Sequence, residues 1–373
     1  MMLILYTVTL IYLIIILSFI IGFDRIEIFK PTSAKAETKF SIVIPFRNEA
    51  LKLPQLLSSI LNLDYSRTMF EVLLINDYSD DNSVEIIESY LANTSINYTI
   101  IENKVEGDSP KKEAIKLAIE LAKNKWIITT DADCILSKKW LSIFDQFIQE
   151  KKPEMVIAPV TYTASNAFFD GFQLLDFLSL QSVTIGAFGI NNPFICNGAN
   201  FAYQKELFLD LNGFKENDNL ASGDDVFLLQ KAVHQHKKVN YLKSIHALVK
   251  TNPQSTFSEL VQQRIRWASK SKAYKNLFSK LVGLVVLFMN LVLVVALFLS
   301  FTSLISTRDV LIAFAIKITI DLWCILKVSN LYGQNKYLYY LLPSSLIYPF
   351  FIIYISILSI FSGFIWKERR YKS

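Results

Sequence analysis

Residues 125–134 read KWIITTDADC, an apolar run of strand type that ends on two aspartates one residue apart. Acids held close together at the end of a buried strand repel each other and resist desolvation. A divalent cation is the natural compensation. Side chains two residues apart on an extended chain point the same way, so Asp131 and Asp133 can share one ion. The plainer alternative is a pair of solvated turn acids.

The same pattern recurs upstream. FSIVIPF (40–46), FEVLLIND (70–77) and NYTIIEN (97–103) are strand-like. EALKLPQLLSSILNL (49–63), SVEIIESYLAN (83–93) and KKEAIKLAIELAKN (111–124) have helical spacing. Strands alternating with helices predict an α/β domain with a mostly parallel sheet. Ligands of such sheets bind outside the carboxyl ends of the strands. Polar residues gather at those ends: Arg47, Asn48 and Glu49 after the first strand, Asp77 after the second, Asp131 and Asp133 after the fourth. Any one of these acids has a second reading as a helix cap, which Asp80 or Asp81 is expected to supply for the helix near Ser83.

Hydrophobic residues make up 52% of the chain, with 28 Phe, which predicts membrane segments around the α/β domain. A net charge of +5 without a basic, aromatic-interleaved run argues against nucleic acid. Cys134, Cys196 and Cys324 have neither disulfide nor metal-ligand spacing, which points to a reducing compartment. Residues 2–23 carry no charge and are long enough to span a bilayer; the reading is an anchor at 1–23 rather than a cleaved signal. Arg25, Lys30, Lys35 and Lys39 follow it and no base precedes it, which places residue 40 onward in the cytoplasm. Apolar sequence returns over 281–366: 281–306 is a span, and 337–366 is a second, interrupted by Pro343 and Pro349. Between them, 310–328 contains Lys317, Asp321 and Lys327, and is either a span facing other helices or a re-entrant or interfacial helix, with Lys317 and Asp321 spaced to pair on one face. The basic tail, 367–373, belongs on the cytoplasmic side and requires an even number of crossings after residue 280.

Six segments carry a more specific signal: SIVIPFRNEA (41–50), LLINDYSDDNS (73–83), TTDADC (129–134), NGANFAYQKELFLDLNGF (197–214), SGDDVFL (222–228) and QQRIRW (262–267). In order and spacing they resemble the family 2 glycosyltransferases, the GT-A-fold group with nucleotide-sugar donors that includes cellulose and hyaluronan synthases and ceramide glucosyltransferase. The likeness covers residues 40–275, and the membrane block resembles the lipid glucosyltransferase branch. It implies a membrane-bound, inverting, multi-pass enzyme. Its cytosolic GT-A domain at 40–275 would move a sugar from a nucleotide diphosphate, UDP by preference, to a lipid or lipid-linked hydroxyl.

The resemblance also implies roles. Asp133 is the Mg²⁺ or Mn²⁺ ligand, with Asp131 on the ribose or the outer shell of the metal. Asp77 contacts the nucleoside, in a pocket lined by Pro45, Arg47 and Glu49. Lys111 or Lys112, with Lys112 preferred, lies near the base or phosphates. Asp225 takes the proton of the acceptor hydroxyl, and Asp224 holds an adjacent polar network; helix capping explains at most one of the two. Gly198 lies under the acceptor, Gln263 reaches its end, Arg266 clamps the diphosphate, and Trp267 forms an apolar wall. The family string has Gly where this chain has Tyr78, so a turn with positive φ is not expected there. Residues 168–190, too polar at Asp170, Gln173, Asp176 and Gln181 for a plain span, read as an amphipathic segment resting on the membrane, or as ordinary core. His234, His236 and His246 read as ordinary histidines. Two rival functions remain: a processive polysaccharide synthase, and a membrane transporter component in which Lys317, Asp321 and Lys327 line a path.

Overall fold

The computed structural model describes the chain except residues 33, 104–108, 219, 221, 272, 368, 372 and 373. In chain order, α1 (Met2–Arg25) leads to β1 (Phe40–Phe46), α2 (Leu53–Leu61), β2 (Phe70–Asn76), α3 (Ser83–Leu91), β3 (Asn97–Glu102), α4 (Pro110–Leu121), β4 (Trp126–Thr129) and α5 (Trp140–Lys151). There follow β5 (Met155–Ile157), β6 (Val160–Tyr162), α6 (Phe168–Gly189), β7 (Phe201–Gln204), α7 (Lys205–Asp210), α8 (Asp224–His234), β8 (Val239–Tyr241) and β9 (Val249–Thr251). The rest is α9 (Phe257–Ser271), α10 (Leu277–Phe301), α11 (Thr307–Tyr332), α12 (Leu341–Phe361) and the strands β10 (Phe364–Trp366) and β11 (Arg369–Tyr371).

Two compact units result. One comprises Glu27–Thr163 and Ile195–Asn252; the other comprises Met1–Ile26, Ala164–Phe194 and Pro253–Ser373. Residues 164–194 and 253–275, read from sequence as part of one span with 40–163, therefore cluster with the helices.

The first unit is built on a sheet of order β3-β2-β1-β4-β7-β5-β8. Every strand but β7 runs the same way. β1 and β2 are buried almost throughout, which is why they read as continuous apolar runs. The chain passes from β1 to β2 on one side, and β4 joins β1 on the other. The boundary between β1 and β4 is therefore a topological switch point, where the loops after the two strands diverge and leave a crevice. Pro45 fits that boundary. The Val43 carbonyl accepts from Thr130, so Pro45, two residues on, faces the same side, beyond the last β1–β4 pair Val43↔Thr129. Its missing N–H interrupts no ladder bond.

The second unit is helical. By length and composition, three stretches among the described residues can cross a membrane: α1, α10 and Asn335–Phe361, which includes α12. α6 corrects the amphipathic reading of 168–190. Leu174, Leu175, Phe177, Leu178 and Ile185 are buried, and so are Gln173 and Gln181 among the polar residues that suggested a wet face. Gln173 exchanges two hydrogen bonds with the backbone of Gln254 (3.0 and 2.8 Å), and Asp176 pairs with Arg264 at 2.7 Å. The segment is core whose polar groups find partners within the unit. α6 meets α1 through glycines, and a Cβ on Gly189 would stand 1.8 Å from the Gly22 carbonyl oxygen.

Candidate active site

The loops that follow β1 and β2 are stitched to each other by short bonds. Asn48 N–H donates to Ser79 Oγ (3.1 Å), Asp80 N–H to Asn48 Oδ1 (2.8 Å), and Glu49 N–H to Ser83 Oγ (3.0 Å). Asp81 accepts from Ala50 N–H (3.0 Å) and from Ser83 N–H (3.1 Å), the latter at the start of α3. Burial pushes the Asp81 carboxyl up, but the donors from Ser83 and Ala50 outweigh it, and its pKa lies below the usual value. The residue before α3 is Asn82, without a side-chain cap bond, so neither Asp80 nor Asp81 is the cap itself; Asp81 accepts the first N–H of the helix from one position further out.

Within this frame Arg47 Nη1 donates to the Asp77 carbonyl at 3.0 Å. The Asp77 carboxylate is buried and accepts from Asn103 Nδ2 at 3.1 Å. Asn103 was not foreseen as a site residue; its one sequence signal is its place at the end of a strand. Tyr78 does adopt positive φ (56°), contrary to the expectation drawn from its side chain. The turn is held from both ends, because Asn76 Oδ1 accepts from Ser79 N–H at 3.0 Å and Arg47 grips the Asp77 carbonyl. The Tyr78 ring is left substantially exposed.

After β4, ligand atoms of Asp131, Asp133 and Cys134 lie within 4.8 Å of one another. Burial and the like charge of Asp131 push the Asp133 carboxyl up, against the pull of Lys52, whose Nζ is 4.0 Å away. Lys52 also lies 3.6 Å from Glu49, so it bridges the β1 and β4 loops across the switch point. Burial, with both carboxylates beside it, drives the Cys134 thiol well above its usual pKa, so it stays protonated and the donors on offer are hard carboxylate oxygens. Such a set fits Mg²⁺ or Mn²⁺.

Lys111 carries the cluster further. Its Nζ lies 2.8 Å from Asp131 and 3.6 Å from Asp224. Burial would lower its pKa, but the two aspartates outweigh this and hold it firmly charged. Asp224 is pushed up by burial and by Asp225 and Asp131, with Lys111 opposing. Lys112, the residue preferred from sequence, has another task. It is buried, donates to the carbonyls of Asn217 and Leu220 (2.8 Å for the latter), and lies 5.2 Å from the Phe227 ring centroid. The reason is helical geometry: adjacent residues of α4 face about 100° apart, and it is Lys111 that reaches Asp131 and Asp224 within ion-pair distance.

Asp224 and Asp225 open α8 behind Gly223, which sits at φ 87° as the residue before the helix. Neither acid is itself the cap; both lie in the first turn, where the helix dipole favours negative charge. Asp225 Oδ2 accepts the Gly198 N–H at 2.8 Å, and Oδ1 accepts the Val226 N–H at 2.7 Å. The Gly198 carbonyl accepts from Thr129 Oγ1 at 2.6 Å, so β4 and the α8 acids are joined through this glycine. A Cβ there would stand 3.3 Å from Asp224 Oδ2 and 3.4 Å from Asp225 Cβ. Asn200 anchors the segment from beneath, accepting from Trp140 Nε1 and donating to the carbonyls of Pro159 and Ala247.

Gln263, Arg266 and Trp267 lie on α9, in the helical unit. There Arg264 pairs with Asp176, donates to Gln263 and lies 4.3 Å from the Trp267 ring centroid. Trp267 also meets Phe177, and the Arg266 guanidinium lies 5.1 Å from the Trp366 ring centroid. His234, His236 and His246 belong to no metal-ligand group among the described residues.

Residues 41–211 match the sequence model described as "Glycosyl transferase family 2". Among curated relatives, glycosyltransferase AglE of Haloferax volcanii is 21% identical over 226 residues, 61% of this chain and 70% of that one. The poly(ribitol-phosphate) beta-N-acetylglucosaminyltransferase TarS of Staphylococcus aureus is 25% identical over 119 residues, 32% of this chain; the match spans only 20% of TarS. An undecaprenyl-phosphate 4-deoxy-4-formamido-L-arabinose transferase of Shewanella sediminis is 41% identical over 95 residues, 25% of this chain and 28% of that one. In fold, the chain is similar to the mannosyltransferase PcManGT of Pyrobaculum calidifontis, with a TM-score of 0.60 at 16% identity over 92% of this chain and 98% of the other. Sheet order, motif placement and the matched segment agree: residues 41–211 match the family 2 glycosyltransferases, and the fold is of the GT-A type.

Proposed function

We propose that this protein is a membrane-anchored, inverting glycosyltransferase that moves a sugar from a nucleotide-diphosphate donor to a hydroxyl on a lipid or lipid-linked acceptor. The observation that carries the reading is the convergence, through Lys111, of the acids after β4 with the acids that open α8. The donor and acceptor halves of a displacement need such proximity.

Asp131 and Asp133 would hold a divalent cation, which neutralises charge on the diphosphate leaving group when bound. The solved structure of PcManGT contains GDP-mannose and Mn²⁺, which supports a metal-assisted reading for the same fold. Asp77, fixed by Asn103 and Arg47, would orient the nucleoside, with Pro45 and Glu49 beside it. The likeness of the motifs favours a uridine donor. Lys111, charged at all working pH, is placed to meet phosphate oxygens as well as Asp131.

Asp225 would take the proton from the attacking hydroxyl. Its two backbone N–H bonds hold the carboxylate in one orientation. Gly198 admits an acceptor close to the backbone. Gln263, Arg266 and Trp267 are proposed for the acceptor and diphosphate because of the QQRIRW motif.

The three stretches able to cross a membrane support a multi-pass protein, and the bases that follow α1 favour a cytoplasmic catalytic unit. The name of the Shewanella relative, a transferase to undecaprenyl phosphate, supports a lipid-linked acceptor; the name of TarS supports a polymeric one as the second reading. Membranes containing the protein, given radiolabelled UDP-sugar and Mn²⁺, should yield label in organic-soluble lipid. High-mass labelled polymer would favour the second reading, and no metal-dependent transfer from any nucleotide sugar would overturn the proposal.

A further inference from the structure

By hydropathy, the C-terminal block has two spans, α10 and the stretch containing α12, while α11 fails the criterion. Contacts within the helical unit point the other way. We infer that α11 crosses the bilayer alongside α1, and that α12 lies along the membrane surface on the side of the catalytic unit with an apolar face in the lipid. This rests on the proposed membrane anchoring by α1.

α11 runs parallel to α1 along its whole length. Tyr6 donates to Asp309 (2.7 Å), Tyr12 to Asp321 (2.6 Å), and Lys327 to Asp24 (2.7 Å). Whatever layer α1 traverses, α11 traverses too. Its 26 residues extend about 39 Å, enough for a hydrocarbon core of about 30 Å. The charges that depress its hydropathy are internally matched. Lys317 is buried and pairs with Asp321 at 2.6 Å, and Asp321 also receives Tyr12. Lys327–Asp24 and Tyr6–Asp309 lie at opposite ends of the pair of helices. Ionisable groups paired in this way are tolerated within a membrane bundle.

α12 packs against α10, and the Tyr348 ring centroid lies 5.6 Å from Lys317 Nζ of α11, but both of its ends and Phe351 are tied to segments close in sequence to where the chain leaves the catalytic unit. Before it, Tyr337 and Tyr340 donate to the carbonyls of Ala164 and Asn166, one and three residues from Thr163, where the chain leaves the catalytic unit. Midway, Phe351 packs on Phe172 of α6 and Phe257 of α9. After it, Ile365 N–H donates to Gln262 (2.8 Å) and Trp366 stacks on Arg266. α9 itself begins five residues beyond Asn252, where the chain again leaves the catalytic unit. A helix whose two ends return to the same side does not span.

What it exposes is a stripe of Leu342, Leu346, Phe350, Tyr354, Ile357 and Phe361, spaced by three and four along one face. Lys336 precedes the stripe, and Lys367, Arg369 and Arg370 follow it. An apolar face between bases matches an anionic leaflet rather than a protein partner. With α10 and α11 as the two late crossings, the number is even, and the basic tail falls on the catalytic side as its charge requires.

Single cysteines in the full chain test this, read with a membrane-impermeant maleimide on sealed vesicles and again after permeabilisation. The native cysteines are buried, and Glu206→Cys, exposed on α7, marks the catalytic side. Ser306→Cys should react only from the opposite face, and Asn335→Cys and Ser362→Cys only from the Glu206 face. Lys336→Cys and Gly363→Cys replace either of the latter if it is silent on both faces. Labelling at 335 or 336 from the Ser306 face would overturn the crossing by α11. Labelling at 362 or 363 from that face would overturn the surface helix. All positions reacting from one face would instead overturn the membrane anchoring beneath the inference.

Discussion

Lys111 Nζ lies 2.8 Å from Oδ1 of Asp131, and the neighbouring Lys112 is buried against backbone carbonyls. Two adjacent lysines therefore differ in kind. Lys111→Met should leave folding intact and lower transfer by about 10²-fold, with Lys111→Arg recovering part of it. Lys112→Met strands buried carbonyls and should cost about 2 kcal/mol of stability in denaturant unfolding. The reverse assignment of kinetic and stability effects would mean that the site is built on the other lysine.

Gly198→Ala tests the join between the halves of the site. Its Cβ would press on Asp224 and Asp225, displacing the carboxylates by a few tenths of an ångström. Transfer should fall about tenfold with donor affinity unchanged. Wild-type turnover would show that these acids need no such placement.

Metal loading should depend on pH above the ordinary carboxylate range. Burial and Asp131 raise the pKa of Asp133, so its protonated form persists to higher pH, and the metal must displace that proton. Mn²⁺ affinity, followed by calorimetry, should rise with pH through that window by about tenfold per unit and level off above it. A flat profile down to the usual Asp range would contradict the shared-charge description of this pair.

The α1–α6 crossing is predicted to tolerate no side chain. Gly189→Ala drives a Cβ into the Gly22 carbonyl and should cost about 3 kcal/mol, seen as lost thermal stability in detergent. Gly283→Ala on α10, with nothing within 4 Å, is the neutral control.

Much of this was legible in the residues. The four parallel strands announce themselves as apolar runs, and their polar ends mark the rim where ligand-binding groups gather. What was not legible depends on partners far away in sequence. Gln173 and Asp176 read as a wet face until Gln254 and Arg264 are placed against them. The sequence leaves α11 between a span and a re-entrant or interfacial helix because the groups that match its charges, Tyr12 and Asp24, are some three hundred residues earlier. β7 is a short strand whose reversed direction follows from its partners, not its composition. Tyr78 takes a glycine-like φ because bonds from both sides outweigh the local steric cost.

The most direct measurement follows donor binding and sugar transfer together in Asp133→Ala and Asp225→Asn, using labelled nucleotide sugar and membranes. Asp133→Ala should lose metal-dependent donor binding, and transfer with it. Asp225→Asn should bind donor normally and transfer about 10²-fold more slowly or worse. Undiminished transfer by either variant would contradict a reaction centred on this rim.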